Sequence, residues 1–120
     1  MRFPAALVLL LALSFPASGA TQEKRPRGAL YGAIAYHQAS GNFGWAADRP
    51  SGREARLEAL KQCGHEQCVV VATVTRACAA LARSPKKFSA QKGTTRQEAE
   101  TKALAKCGAG CEIAVWTCTR

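Results

Sequence analysis

A thirteen-residue pattern occurs twice in the chain and constrains its fold more than any other feature. Residues 51–63 and 95–107 both read S/T-x-x-E-A-x-x-x-A-L-x-x-C, and the offset is 44 positions throughout. A chain that repeats at such a distance is built from two similar structural units. The length of 120 residues leaves room for both units within one domain.

Each copy of the pattern predicts an amphipathic helix. Ser51 and Thr95 are suited to cap the first turn, and Glu54 and Glu98 follow three positions later, as in a capping box. Alanine, leucine and cysteine then recur at helical spacing, and the small alanines allow the helix to lie close to its neighbour. A glycine follows each copy and suits a helix C-terminus.

Apolar and β-branched runs around the helices predict strands. They lie at 30–36, 43–47 and 69–75 in the first copy, and at 78–83, 88–91 and 113–117 in the second. The predicted fold is therefore α+β: two β-β-α-β repeats that form a mostly antiparallel sheet with two helices on one face, stabilised by disulfides.

Alternation along the two last strands divides their side chains between two faces. One set is expected to face the helices: Val70, Ala72, Val74, Ile113 and Val115. The other set is expected on a face that no predicted helix covers: Val69, Val71, Thr73, Ala114 and Trp116. Such a face is either a dimer or binding surface, or it is covered by the hairpin loops.

Six cysteines in a small chain with an export signal favour disulfides. The repeat predicts their pairing, because Cys63 and Cys68 flank one helix-to-strand turn and Cys107 and Cys111 flank its equivalent. The remaining pair then joins the start of the second unit to the end of the chain: Cys78 and Cys118.

Zinc is the competing interpretation of these residues. Cys63, His65 and Cys68 lie together, and Cys107 with Cys111 would complete a ligand set. The spacings C-x4-C and C-x3-C differ from the usual C-x2-C knuckle, however, and export disfavours free thiols. The C-x-x-C spacing of thioredoxin-like redox proteins is absent from the sequence. We therefore expect no metal and no cofactor.

The first twenty residues have the pattern of a secretory signal peptide. A basic start at Met1-Arg2 precedes an apolar run at 3–15, and small residues up to Ala20 suit a cleavage site. The run is too short for the roughly 20 residues that a membrane-spanning helix needs. We therefore predict a signal peptide at 1–20, a flexible basic arm at 21–29, a single disulfide-bonded domain at 30–120, and a secreted or periplasmic location after cleavage behind Ala20.

The repeated E-A-x-x-x-A-L-x-x-C pattern, together with three further segments, resembles a bacterial exported family catalogued as domain of unknown function 4189. The segments are YGAIAY at 31–36, the turn GNFGW at 41–45 and the closing V-W-x-C at 115–118. The resemblance covers the chain from about Leu30 to its end. It implies a small secreted or periplasmic disulfide-bonded domain, and it carries over no catalytic residue.

Catalytic motifs are absent from the sequence. It has no G-x-S-x-G, no H-E-x-x-H and no glycine-rich phosphate loop. His37 and His65 are the only histidines, and nothing in the sequence marks a partner for either. Capping explains Glu54 and Glu98 without a catalytic carboxylate pair. We therefore expect a protein that is not an enzyme and has no catalytic residue.

The charge favours a binding function. The formal net charge is +9, and it falls to +8 when Arg2 is removed with the leader. An excess of this kind favours anionic partners, either an acidic protein or a cell-envelope polymer, and the alternative is a basic surface that only aids solubility. Nucleic acid is disfavoured by export and by the lack of a recognition helix. The candidate partner-binding residues are Tyr36, Phe43, Trp45, Trp116, Lys86 and Lys87, while Arg83 and Lys92 complete a cationic cluster around Phe88.

The sequence therefore favours an exported, non-enzymatic interaction module of inhibitor or immunity type, with an anionic or protein partner. The alternative is a secreted effector that acts on a host or a competitor. A small hydrolase has weaker support, from His37 beside a turn that contains serine and asparagine. The partner and the oligomeric state are not specified by the sequence.

Overall fold

Within residues 28–120, six strands and two helices follow one another in the predicted order. The computed structural model describes residues 28–120, so the predicted signal peptide, its cleavage site and residues 21–27 of the predicted arm lie outside the described residues. The elements are β1 (Tyr31–His37), β2 (Asn42–Arg49), α1 (Gly52–Cys63), β3 (Val69–Thr75), β4 (Cys78–Arg83), β5 (Phe88–Gly93), α2 (Arg96–Cys107) and β6 (Glu112–Cys118). The α+β class and the two β-β-α-β repeats are confirmed.

The helices begin where the pattern predicts, because both N-cap residues make their bonds. The hydroxyl oxygens of Ser51 and Thr95 accept hydrogen bonds from the backbone N–H of Glu54 and Glu98, each at 3.1 Å. The return bond of a capping box differs, since the Glu98 carboxylate accepts from the backbone N–H of Thr94, one residue before the cap. In α1 the Glu54 carboxylate accepts from the Ser51 hydroxyl instead.

Each helix packs closely on the strands of its own repeat because the contact residues are small. In the first repeat Ala55 and Ala59 of α1 are fully buried. A Cβ at Gly44 of β2 would lie 2.1 Å from the carbonyl oxygen of Ala59 and 2.3 Å from the backbone nitrogen of Cys63. Glycine is therefore required where β2 meets the end of α1.

The strands form two antiparallel sheets, which corrects the prediction of one sheet with both helices on one face. The order is β2-β1-β3 in the first sheet and β5-β4-β6 in the second. A core between the sheets contains the largest fully buried apolar side chains, Ile34 and Leu81, while separate alanine-rich cores lie under α1 and under α2. The layers are therefore helix, sheet, sheet, helix.

The second correction concerns the sheet face that the sequence predicted to be covered by no helix. Ala72, Val74 and Val115 point into the core between the sheets, not toward the helices. A register shift in each sheet explains the error, because Val71 and Ala114 are extra residues against β1 and β4 and reverse the alternation. Trp116 correspondingly lies on the α2 side of its sheet, opposite Ala80. The face predicted to be uncovered is thus occupied by the other sheet.

The cysteine pairing predicted from the repeat is the pairing in the structure. Cys63–Cys68 and Cys107–Cys111 each join a helix end to the strand that follows it. Cys78–Cys118 joins β4 to β6. No helix within 28–120 has both the length and the apolar character needed to cross a membrane.

Candidate functional site

Four connections meet at one end of the two sheets, which we call the hairpin end. They are the two hairpin turns at 38–41 and 84–87 and the two disulfide turns at 64–67 and 108–111. The side-chain amide of Gln38 donates to the carbonyl oxygen of Lys86 at 3.1 Å and so links the two hairpins. The hairpin end is therefore the place where both repeats contribute side chains to one surface.

Arg83, the last residue of β4, is the central charged group of the hairpin end. Its guanidinium carbon lies 5.1 Å from the ring centre of Phe43 and 5.9 Å from that of Tyr36. One guanidinium nitrogen also donates to the carbonyl oxygen of Gly41. No carboxylate among residues 28–120 lies within ion-pair distance of Arg83. The guanidinium thus contacts two aromatic rings and one carbonyl oxygen, and no carboxylate neutralises its charge.

The Arg83 guanidinium borders an open cavity of about 720 Å³ between the hairpins. Its side chains combine one cation, one carboxylate, hydroxyls and an amide. The polar members of the lining are Arg83, Glu112, Gln38, Ser40, Ser84 and Tyr36. Glu112 is the cross-strand partner of Arg83 and is exposed. A cavity of this composition suits a ligand that carries an anionic group together with hydrogen-bond donors.

The two lysines of the second hairpin differ in their surroundings. A Cβ at Gly108 would lie 2.9 Å from the Lys87 ammonium, which places that charge at the C-terminal end of α2. A cation at this position is stabilised by the helix dipole. Lys86 is exposed beside the cavity. Lys92, by contrast, pairs with Ala79 toward the far end of β5, so it does not belong to the cluster that the sequence suggested.

A second, more apolar depression runs along the edge strands β2 and β6, and we call it the side groove. It measures about 510 Å³. Trp45 and Trp116, which line it, are 44% and 39% exposed. The Arg96 guanidinium lies 4.0 Å from the ring centre of Trp116. The Thr117 hydroxyl donates to the Ala46 carbonyl oxygen at 3.0 Å and joins the two edge strands below the groove.

The structure divides the six predicted partner-binding residues between these two places. Lys86 and Lys87 lie at the hairpin end, and Trp45 and Trp116 lie in the side groove. Phe43 contacts Arg83 and also lines the groove. Tyr36 is only 3% exposed, so its ring mainly supports Arg83, and it forms a T-shaped pair with the Phe88 ring at a centroid distance of 5.1 Å.

Sequence reasoning placed Arg83 in a cationic cluster without including it among the candidate partner-binding residues, and it assigned no role to Glu112. The strand registers show that these residues occupy the positions of Tyr36 and Val69 in the first repeat. The second repeat thus has an arginine and a glutamate where the first has an aromatic and an aliphatic residue. An alignment of the repeats strand by strand, with one gap in the shorter disulfide turn and further gaps between β4 and α2, contains this signal.

The two histidines lie against each other at the hairpin end. Their rings stack with centroids 3.9 Å apart and planes 13° from parallel. His37 Nδ1 lies 2.6 Å from the Ser40 hydroxyl, and His65 Nδ1 accepts from the backbone N–H of Gln67 at 3.0 Å. Within the described part of the chain, no three His, Cys, Asp or Glu side chains are grouped to hold a metal ion. The stack fastens the first hairpin to the disulfide turn behind it.

Comparison with known families assigns the chain to one family. A family described as a domain of unknown function (DUF4189) matches residues 31–118. The chain belongs to this family. The matched residues run from the start of β1 to the end of β6, so they include both repeats and the hairpin end.

Relatives of this DUF4189 chain occur in mycobacteria. Protein Rv1269c of Mycobacterium tuberculosis is 37% identical over 89 residues, which cover 74% of this chain and 69% of the relative. Protein Mb1300c of Mycobacterium bovis has the same identity and coverage. The NMR structure of Rv1813c from Mycobacterium tuberculosis is 35% identical, with a TM-score of 0.64 over 78% of each chain. The shared fold is thus supported by sequence and by structure.

Proposed function

We propose that this DUF4189 protein is an exported, non-enzymatic binding module that holds an anionic group of its partner at the hairpin end. The observation that carries the proposal is the environment of Arg83. Its guanidinium is half-buried, borders a cavity and has no carboxylate within ion-pair distance among the described residues. A planar guanidinium of this kind binds carboxylate or phosphate groups through two parallel hydrogen bonds.

The surroundings of Arg83 favour binding in two ways. The rings of Phe43 and Tyr36 and the Gly41 carbonyl hold the side chain in one conformation, so less entropy is lost when a ligand binds. Partial burial also lowers the local dielectric, which strengthens the attraction between a guanidinium and an incoming anion. Lys86 adds a second positive charge beside the cavity and assists the approach of an anionic partner.

Export is part of the proposal and has its own support. The first twenty residues have a secretory pattern, and all six cysteines of the chain are paired, as is usual in oxidising compartments. A partner in the cell envelope and a partner on a host or competitor are both compatible with the site. Fractionation of the native host distinguishes them, because a protein found only in the periplasm excludes the role of a released effector.

The test is an NMR titration of the folded 28–120 domain with anionic probes at two salt concentrations. The probes are oligogalacturonate, poly-L-glutamate and polyphosphate of matched length. We expect at least one probe to shift the amide signals of 38–41 and 83–87, and to bind more weakly at high salt. Arg83→Gln and the exposed pair Lys86→Gln with Lys87→Gln should both weaken that binding.

The matched control removes positive charge elsewhere. Arg53→Gln with Lys61→Gln changes two exposed cations of α1, outside the hairpin end, and should leave the affinity within about twofold. The double lysine variant guards against a folding defect in Arg83→Gln, because neither lysine side chain is buried. The proposal is abandoned if no probe binds, or if the α1 variant loses as much affinity as the hairpin variants.

One observation favours a hydrolase as a second candidate. His37 Nδ1 lies 2.6 Å from the Ser40 hydroxyl, a distance at which a base can activate a nucleophile. The Ser40 oxygen, however, also accepts from the backbone N–H of Asn42, which is the geometry of a serine turn. Covalent labelling of Ser40 by a fluorophosphonate, lost in His37→Ala, would support this candidate, and an unlabelled protein would remove it.

A further inference from the structure

We infer that the anionic ligand is an acidic sugar chain, which lies across the hairpin end and continues along the side groove. The inference rests on the proposed function and adds the ligand class and a second contact surface. It depends on two features of the molecule, namely a continuous row of cationic and aromatic side chains and the presence of one carboxylate in the cavity that holds Arg83.

The row joins the two depressions into one surface. Phe43 packs against the guanidinium of Arg83, which borders the cavity, and Phe43 also lines the side groove. Ala114 lines both depressions. Beyond Phe43 the row continues through Trp45 and Trp116 to the Arg96 guanidinium, which covers the Trp116 ring. A ligand bound at Arg83 therefore meets the exposed tryptophans when it extends along β2 and β6.

The aromatic part of the row suits sugar rings. One face of a pyranose ring presents C–H groups, and this apolar face packs against the π-face of an aromatic side chain while the hydroxyls stay in water or hydrogen-bond to the protein. Trp45 is large and 44% exposed, and it is the ring that such a face can cover. Trp116, on the neighbouring edge strand, is 39% exposed, but the Arg96 guanidinium already covers its ring and there supplies a cation beside the sugar. Stacking on such side chains needs only the apolar face of a sugar ring, so the surface can bind one sugar unit after another along the chain.

The carboxylate of Glu112 separates an acidic sugar from other polyanions. Within the cavity it stands on the strand next to Arg83 and repels a chain whose groups are mainly phosphates or carboxylates. A sugar acid supplies one carboxylate for the guanidinium and several hydroxyl donors that Glu112 can accept. Polyphosphate and polyglutamate offer Glu112 no comparable hydroxyl donors, and their remaining charges are unfavourable there.

The experiment measures the dissociation constants of oligogalacturonate, hyaluronate oligosaccharide, poly-L-glutamate and polyphosphate by calorimetry, with neutral galactan as a fifth probe. We expect at least one acidic glycan to bind about tenfold or more tightly than the two sugar-free polyanions, and galactan to bind weakly. Trp45→Ala should lower the affinity for the acidic glycan by about tenfold, while Trp45→Phe should retain most of that affinity.

The matched control for Trp45→Ala is Leu57→Ala. It truncates an apolar side chain of α1 that is 54% exposed and lies outside the row, so the affinity should not change. Glu112→Gln should reduce the preference for glycan by raising the affinity for polyphosphate and polyglutamate. Thermal unfolding of each variant verifies that it is folded at the temperature of the titration.

The outcomes separate this inference from the proposed function. If poly-L-glutamate or polyphosphate binds as tightly as both glycans and depends on Arg83, anion binding stands and the sugar inference is wrong. If glycan binding is unaffected by Trp45→Ala, the side groove is not part of the site and the inference is also wrong. If no anionic probe binds at all, the proposed function and this inference are both withdrawn.

Discussion

Arg83 shows how one substitution between repeats can create a site. It occupies the place of Tyr36 in the first repeat, and the structure packs the two residues against each other, with Phe43 beside both. The first repeat thus supplies aromatic rings, and the second supplies the charge that they hold. Two identical repeats would place either two aromatic rings or two positive charges at these positions. Neither arrangement produces a guanidinium that packs on aromatic rings without a neutralising carboxylate.

Glu98 gives the clearest prediction for a single titrating group. A hydrogen bond from Lys102, then bonds from the side chain and backbone of Thr94, lower the pKa of its carboxyl from 4.5 to about 2. Because the pKa is lower in the folded protein, ionised Glu98 stabilises the fold above pH 4.5, and that contribution is lost as the pH falls toward 2. Lys102→Gln should move the Glu98 titration upward toward pH 4.5, as followed by the side-chain carboxyl carbon in NMR.

The control for this titration is Lys106→Gln, which removes a lysine of α2 that makes no ion pair with Glu98 in the structure. It should leave the Glu98 midpoint where it is in the parent protein. An unchanged midpoint in Lys102→Gln would contradict the assignment of Lys102 as the main cause, and would leave the Thr94 bonds as the source of the lowered pKa.

Among the elements, the three disulfides constrain chain segments of very different length. Cys78–Cys118 spans 40 positions, whereas the two turn bridges span 5 and 4. The cost of closing a loop rises with its length, so removing the long bridge should cost about 4 kcal/mol and removing either short bridge about 2 kcal/mol. Paired Cys→Ala variants, compared by urea unfolding under oxidising conditions, measure these free energies of unfolding.

The two turn bridges act as controls for each other, because they hold equivalent positions in the two repeats. Their removal should lower the free energy of unfolding by similar amounts. A short bridge that costs as much as Cys78–Cys118 would show that strain or packing at the turn, and not chain entropy, determines the effect.

At the scale of the whole molecule, stability depends on the core between the two sheets. Ile34 and Leu81 occupy equivalent positions on β1 and β4, and both are fully buried there. Ile34→Ala and Leu81→Ala should each lower the free energy of unfolding by about 2–5 kcal/mol, and by similar amounts, because each leaves a cavity in the same layer. Chemical denaturation measures both values.

The comparison variant is Val69→Ala on β3, where the side chain is 57% exposed. Its loss should be below about 1 kcal/mol, because little apolar surface is removed from the interior. A small loss at Ile34 or Leu81 would indicate that the sheets do not pack face to face in solution.

The sequence by itself determined every helix and strand of residues 28–120 and the cysteine pairing. Capping residues, helical spacing of alanines and β-branched runs are local signals, and the repeat supplies each of them twice. The disulfide pairing followed because the two turn pairs are close in sequence and leave only one remaining pair. These features depend on near neighbours in the chain, so the amino-acid order contains them.

Only the tertiary structure decided what covers each sheet and which side chains meet at the hairpin end. Alternation shows which residues share a face, but not whether a helix, a loop or a second sheet packs there. The uninterrupted apolar runs of β1 and β4 do indicate strands buried on both faces, and the two extra residues at Val71 and Ala114 then reverse the alternation beyond them. The neighbours of Arg83 come from 40 or more positions away in the chain, so its role depends on how the two repeats pack.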